Sequence, residues 1–270
     1  MMGAMVLHWM RVARPLATTV LVLGLAVPGG ALAQAPAPQG RGGAPVAAPP
    51  TAQASAPIEL TGTWVAVISE DWRHRMITPA KGDYASVPLT PAGVKTADAW
   101  DPVKDESIGE QCRSYGAPGL MRGPIRLRIS WIDPNTLKVE TDYGMQTRVF
   151  RFGPRAPTGP ATWQGESVAQ WETGRGRGGP GEGPRTGSLK VVTTRLRGGY
   201  LRKNGVSYSA NTALTEYWDV TKMPAGEQWI VLTSVVHDPV NLQMPFTTAL
   251  HYKKEASDAK WDPTPCSARW

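Results

Sequence analysis

The chain has 270 residues, a formal charge of +7 and two cysteines. Its basic residues are scattered and mostly alternate with apolar ones, which excludes a nucleic-acid footprint and leaves an anionic ligand or surface open. Two distant cysteines are too few for a metal site.

The N-terminus reads as an address. Arg11 and Arg14 precede an apolar run, Leu16 to Val27, that Pro28-Gly29-Gly30 breaks before a small-residue cleavage pattern, Ala31-Leu32-Ala33. At about 12 residues the run is too short for a bilayer, which needs about 20. Residues 1–33 are therefore expected to be a cleaved signal peptide, and no cysteine follows to take a lipid. Losing Arg11 and Arg14 leaves +5 of the formal +7. The mature chain is expected to be exported, periplasmic or extracellular in a bacterium, without a transmembrane segment. Residues 34–57 are nearly all Ala, Pro, Gly and Gln, a composition that cannot offset ordering entropy, and read as a disordered linker. Residues 58–270 form a single domain.

That domain is patterned as β-structure. Leu60 to Trp72 opens it. Ile125, Leu127, Ile129 and Trp131 then share one face of a strand with Arg126 and Arg128 on the other. Asp133-Pro134-Asn135 turns the chain into Leu137–Asp142, and a second turn leads into Met145–Phe152. Glu166–Trp171, Ser188–Arg197, Ala213–Val220, Gln228–His237 and Phe246–Lys254 follow, rich in Val, Thr, Trp or Tyr. The fold class is mainly β: an antiparallel meander closing into a barrel, which removes the edges so many strands would expose. A sandwich or half-open barrel is the alternative. One short helix is expected from the Thr90 cap to Asp101-Pro102, inside a Pro/Gly-rich lid excursion over 78–123, with a further turn near Asp105–Cys112. In an exported chain Cys112 and Cys266 read first as a disulfide and otherwise as two free thiols.

Gly62-Thr63-Trp64, on the first strand, resembles the G-x-W signature of lipocalin-like (calycin-type) barrels, whose tryptophan packs across a closed end. A wider likeness runs through Val87–Trp100, Trp163–Glu172, Gly187–Thr194, Leu201–Ser209, Ala213–Trp218 and Val236–Thr247. These blocks resemble an uncharacterised family of exported bacterial proteins. The resemblance implies no activity, cofactor or catalytic residue. It does mark Thr173–Gly187 as an expanded, flexible hairpin tip, where R-G-R-G-G also matches an arginine/glycine RNA-binding tract.

No nucleophile motif or phosphate-cradling loop stands out. A metal site from His74, His237 and Asp238 would need distant strand ends to meet, so no metal or cofactor is expected. The eleven tryptophans outnumber three phenylalanines. Trp64, Trp131 and Trp229 fall on apolar faces and are core candidates, and others suit recognition of an aromatic ring or sugar.

Three functions compete. The first is a binding module that holds a small apolar or aromatic ligand in a barrel cavity, with polar contacts from Arg148, Arg195, Glu216 and Tyr217. Trp72, Arg73, His237 and Asp238 join them at the strand ends. The second is an acid–base enzyme at the barrel mouth, a hydrolase or isomerase type using Glu70, Asp71 and His74, with Arg73 or Arg75 stabilising negative charge. The third is a structural envelope protein. On a strand reaching Trp72, alternation divides the charged stretch into Glu70-Trp72-His74 and Asp71-Arg73-Arg75. One set lines a cavity, and the other pairs with lid residues such as Asp83 or Asp101.

Overall fold

The computed structural model describes residues 49–154, 156, 158–174 and 187–269. The expected signal peptide, most of the 34–57 linker and the core of the Gly/Arg tip lie outside the described residues. The described residues form eleven strands: β1 (Gly62–Val67), β2 (Arg126–Asp133), β3 (Thr136–Thr141), β4 (Thr147–Phe152), β5 (Glu166–Thr173), β6 (Gly187–Thr194), β7 (Gly199–Tyr200), β8 (Ser207–Tyr208), β9 (Ala213–Lys222), β10 (Gln228–His237) and β11 (Phe246–Glu255). Nine close a barrel in the order β1-β11-β10-β9-β6-β5-β4-β3-β2, while β7 and β8 make a small hairpin.

The barrel is mixed. Every neighbouring pair is antiparallel except β4 and β5, which run parallel with Phe150 opposite Ser167. The expected antiparallel meander breaks here, since a parallel pair cannot be joined by a hairpin turn.

Alternation sends Trp64, Leu127, Val139, Phe150, Leu189, Trp218, Leu232 and Tyr252 inward, where all are buried. One end is plugged by Trp131, Phe152 and Trp171, packed at 5.2–6.5 Å between ring centroids. Residues 49–57, the last part of the expected linker, are held against this end. Ala52 is buried, its amide bonds Asn135 Oδ1 (2.8 Å), and its carbonyl accepts from Trp171 Nε1 (2.8 Å). Trp229, expected in the core, lies on the outer face beside Glu227, because Ile230, Leu232 and Val236 take the inward positions of β10.

Toward the other end the interior turns polar. Arg148 and Glu216 form a fully buried bidentate pair (Nη1–Oε1 2.8 Å, Nη2–Oε2 2.5 Å), and Arg148 also reaches Thr193 Oγ1 at 3.3 Å. Above them a lid carries α1 (Trp72–Arg75), α2 (Pro91–Asp98), α3 (Pro102–Ser107), a 3-10 turn (Arg113–Tyr115) and α4 (Ala117–Leu120). The single expected helix is therefore one of several. Thr90 caps α2 as foreseen, but Asp101-Pro102 does more than stop it. The Asp101 carboxylate accepts from the Val103 and Lys104 amides and starts α3.

The lid is fastened to the barrel in three ways. Val87, Leu89, Leu201, Val206, Leu214 and Val236 form a second apolar core beneath it. Asp105 accepts from Tyr200 Oη (2.7 Å) and from Arg113 (2.8 Å). The Cys112–Cys266 disulfide spans 154 residues and ties the C-terminal tail to the lid, a closure worth about 5 kcal/mol in the chain-entropy account.

The buried pair sets the first prediction. Glu216→Gln strands the Arg148 guanidinium in the interior and is expected to cost about 3 kcal/mol, whereas Arg148→Met with Glu216→Leu costs clearly less. Urea unfolding midpoints check this, and equal losses for the two proteins would refute it.

Candidate functional site

The charged stretch 69–84 enters the lid sooner than its pattern implies. β1 ends at Val67, and Asp71 adopts a left-handed backbone (φ 52°) that swings the chain into α1. Strand alternation therefore gives way to a helical turn. Glu70, Asp71, His74 and Arg75 all line the lidded mouth, while Trp72 and Arg73 stay exposed. Neither expected set of three survives. Arg73 does pair with Asp83 (3.1 Å), as the lid-bridge expectation held.

Three arginines from three lid segments meet these carboxylates. Arg75 on α1, Arg122 just after α4 and Arg202 in the β7–β8 turn are 4%, 5% and 3% exposed. Arg75 donates through Nε to the Arg122 carbonyl (2.8 Å) and through Nη1 to Glu70. Arg122 donates through Nη2 to Asp71 and lies over the Phe246 ring at 5.4 Å. Arg202 donates to the Ala85 carbonyl (2.6 Å), with its Nη2 3.9 Å from Asp71 Oδ2. Four guanidinium nitrogens, Arg75 Nη2, Arg122 Nη1 and Arg202 Nε and Nη2, are buried without a hydrogen-bond partner among the described residues. Such groups are rare in folded proteins and call for a reason.

The turn that presents Arg202 is rigidly held. Asn204 donates to the carbonyls of Ala80 (3.1 Å) and Asp83 (2.9 Å). At Gly205 (φ 87°) a Cβ would stand 2.2 Å from the Trp100 side chain, so only glycine fits both the backbone and the space.

Electrostatics mark the site as cation-rich. Burial and the neighbouring Arg122 push the Arg202 guanidinium down to about 10. Burial likewise lowers Arg122, with the Arg75 charge adding to the effect against Asp71. His74 is lowered by burial and by Arg202. Burial pushes Glu70 up, but hydrogen bonds with His251 and Ser69 and the Arg75 charge outweigh it and hold the carboxyl below its ordinary value. Its Oε2 accepts from Ser69 (2.9 Å) and lies 3.0 Å from His251 Nδ1.

Two cavities share the arginines. One of about 250 Å³ is lined by Glu70, Asp71, Ser86 and the Phe246–Leu250 segment of β11. The other, about 30 Å³, is lined by His74, Tyr115, Tyr143, Tyr200 and Lys203 and is large enough only for water or a very small group. Lys203 donates to Tyr143 Oη and sits over that ring at 4.8 Å.

The remaining expected residues lie elsewhere. Arg148 and Glu216 are the interior pair, and Tyr217 faces outward beside Lys190. Arg195 is exposed after β6, donating to the Gly159 carbonyl (2.6 Å). His237 is exposed at the end of β10. Asp238 organises the next turn, accepting from Ser209 (2.6 and 2.7 Å) and the Val240 amide (3.0 Å). Sequence reasoning missed Arg122, Arg202, Lys203 and His251. The pair Arg202-Lys203, set between Leu201 and a tight Asn204-Gly205 turn, was the one available signal.

No family model matches the chain, and no curated protein or solved structure is significantly similar to it. Its chemistry is therefore read from its own geometry.

Burial also pushes the Lys203 ammonium down to about 8. A lysine with a lower value when folded binds fewer protons than the unfolded chain. Its stability penalty is thus full below pH 8 and fades as pH rises toward the ordinary lysine value, about 10.4. Lys203→Met is expected to raise the melting temperature at pH 7 and to lose that advantage by pH 10. Scanning calorimetry at the two pH values decides, and an advantage unchanged with pH would show that charge burial is not the cause.

Proposed function

We propose that this chain is an exported binding protein of lipocalin-like architecture that holds a small anion at the lidded end of its barrel. The observation that carries this reading is the imbalance at the mouth. Three buried guanidinia face two carboxylates, and four of their nitrogens find no hydrogen-bond partner among the described residues. Burying unpaired cations is costly, and an anionic ligand removes the cost.

The closed barrel with Trp64 at its heart is compatible with the lipocalin-like architecture. The disulfide, and the lack among the described residues of any helix long and apolar enough to cross a membrane, agree with export. A binding module remains the leading function, but the ligand shifts from the axis, filled by Trp64, Phe150 and Trp218, to the mouth. Its chemistry shifts from apolar to anionic.

The test is calorimetric scanning with phosphate, sulfate, citrate and acetate against chloride at constant ionic strength. At least one anion is expected to stabilise the protein saturably, by about 2.7 kcal/mol at a hundredfold excess over Kd. Arg202→Gln should abolish that increment while leaving the general salting effect, which acts on both proteins alike. Identical responses of the two proteins to every anion would refute an anion site.

The contact between Glu70 and His251 favours a second reading, an acid–base enzyme at the same mouth. Glu70, held ionised, would act as base, and the arginines would stabilise developing negative charge. Any turnover found in a substrate panel should fall at least about a hundredfold in Glu70→Gln, and turnover that survives it removes this reading.

A further inference from the structure

The first turn of the lid is inside-out. Trp72, Met76 and Ile77 are 57%, 55% and 56% exposed, while Arg75 in their midst is 4% exposed. Arg75 anchors the turn through its Nε bond to the Arg122 carbonyl (2.8 Å), and the Met76 amide closes it on the Trp72 carbonyl (2.8 Å). The charged side chain is held inside and the apolar ones are left outside, the reverse of the usual partition. Single exposed apolar residues are ordinary on a protein surface, but three within six residues form a patch that calls for a reason.

Trp72 also differs from the other tryptophans near the surface. Arg197 covers Trp163 at 4.1 Å, Arg128 covers Trp261 at 4.1 Å, and Lys253 lies 6.0 Å from the Trp229 ring. Trp72 has no such cover among the described residues.

Charge selects what meets the patch. From Trp72 to Gly82 the chain carries Arg73, Arg75 and Lys81 and no carboxylate. The Arg73 side chain is 72% exposed, and Lys81 is exposed as well. The nearest acids in sequence are already engaged, Glu70 by Arg75, Asp71 by Arg122 and Asp83 by Arg73. The Arg73–Asp83 pair is a surface contact, which solvent screens and a stronger field easily outweighs. The face offered is therefore apolar and cationic together.

Size and symmetry choose among occupants. Three half-exposed side chains offer roughly 350 Å², under half of the ~800 Å² each partner gives to a stable protein interface. A second copy meeting this face about a two-fold axis would bring the same cations together. A bilayer needs neither area nor symmetry. The amphipathic ring of a tryptophan settles at headgroup level, aliphatic side chains enter the acyl boundary, and lysine or arginine meets anionic headgroups. We propose that the lid docks this protein on an anionic lipid surface, with Trp72, Met76 and Ile77 entering the interface and Arg73 and Lys81 meeting the headgroups. The buried arginines assigned above to a small anion take no part, so the two readings stand or fall separately.

Sedimentation of the full mature chain with vesicles of equal phosphatidylglycerol and phosphatidylcholine, and with phosphatidylcholine alone, tests this. Binding to the anionic vesicles is expected to be at least about tenfold tighter, and added salt should weaken it. Trp72→Ala and Ile77→Ser should each weaken it about tenfold. Lys81→Gln should weaken it about fivefold, the effect of one cation near such a surface. Met223→Ser should change nothing, since that exposed methionine lies in the β9–β10 turn at the plugged end. Positions 72 and 77 are more than half exposed, so urea midpoints of these variants should match the parent protein.

Equal binding to both kinds of vesicle would overturn the anionic-surface assignment. Absence of binding, or binding that survives both Trp72→Ala and Ile77→Ser, would overturn the docking face itself. Self-association without lipid that Trp72→Ala abolishes would assign the patch to a second copy and overturn the proposal too.

Discussion

Nine pleated strands turn every second side chain toward the barrel axis, and in this chain those positions carry Trp64, Phe150, Trp218, Leu232 and Tyr252. A barrel of this size holds a ligand on its axis only where inward residues are small. Here large rings interdigitate as they do in any protein core, with Phe150 and Trp218 edge-to-face at 5.7 Å. Each such side chain contributes about 1.5–3 kcal/mol of burial. The result is a stiff, filled cylinder, and groups capable of chemistry are displaced from its axis to its ends. The end near β1, β9 and β11 receives the lid and with it the arginines.

Holding three guanidinia under that lid costs free energy, several kcal/mol for each ion before compensation. Glu70, Asp71 and the carbonyls of Ala85 and Arg122 offset part of it. The remainder falls on the fastenings: the apolar core under the lid, the Asp105 contacts with Tyr200 and Arg113, and the disulfide. These are local and independent of the barrel axis. The lid can therefore keep an electrostatically unfavourable cluster assembled without disturbing the cylinder below it, which is how a rigid scaffold usually supports a binding end.

What the sequence discloses follows from which interactions are local. Period-two alternation is local, so the strands, the closure and most inward residues were legible, and an even cysteine pair in a chain expected to be exported sufficed for Cys112–Cys266. Where both faces of a strand are apolar, alternation loses its direction, which is why Trp229 was assigned inward when Ile230 occupies that place. The parallel β4–β5 pair was not legible because the sequence between the two strands has no strong pattern. At the mouth, Glu70, Asp71, His74 and Arg75 were legible because they are neighbours in sequence. Arg122, Arg202 and His251 join them from 47 to 181 residues away, through a fold that no local pattern encodes. The left-handed turn at Asp71 was invisible too, and it alone decides that adjacent residues point to one place.

The two arginine–carboxylate assemblies in this protein separate a structural ion pair from a site. Arg148 meets Glu216 with two parallel hydrogen bonds, adds Thr193, and leaves only its Nε without a partner, so charge and donors nearly balance. Such a pair is spent on holding β4 to β9 across the barrel. At the mouth the same chemistry is left open, with three guanidinia against two carboxylates and four nitrogens without hydrogen-bond acceptors among the described residues. The arginines of both assemblies are buried, but Glu70 and Asp71 keep 31% and 28% of their side-chain surface exposed where Glu216 keeps 1%, so the mouth is also the assembly that meets solvent. The difference in balance, rather than the presence of buried charge, is what supports the proposal of an anion site at the lidded end.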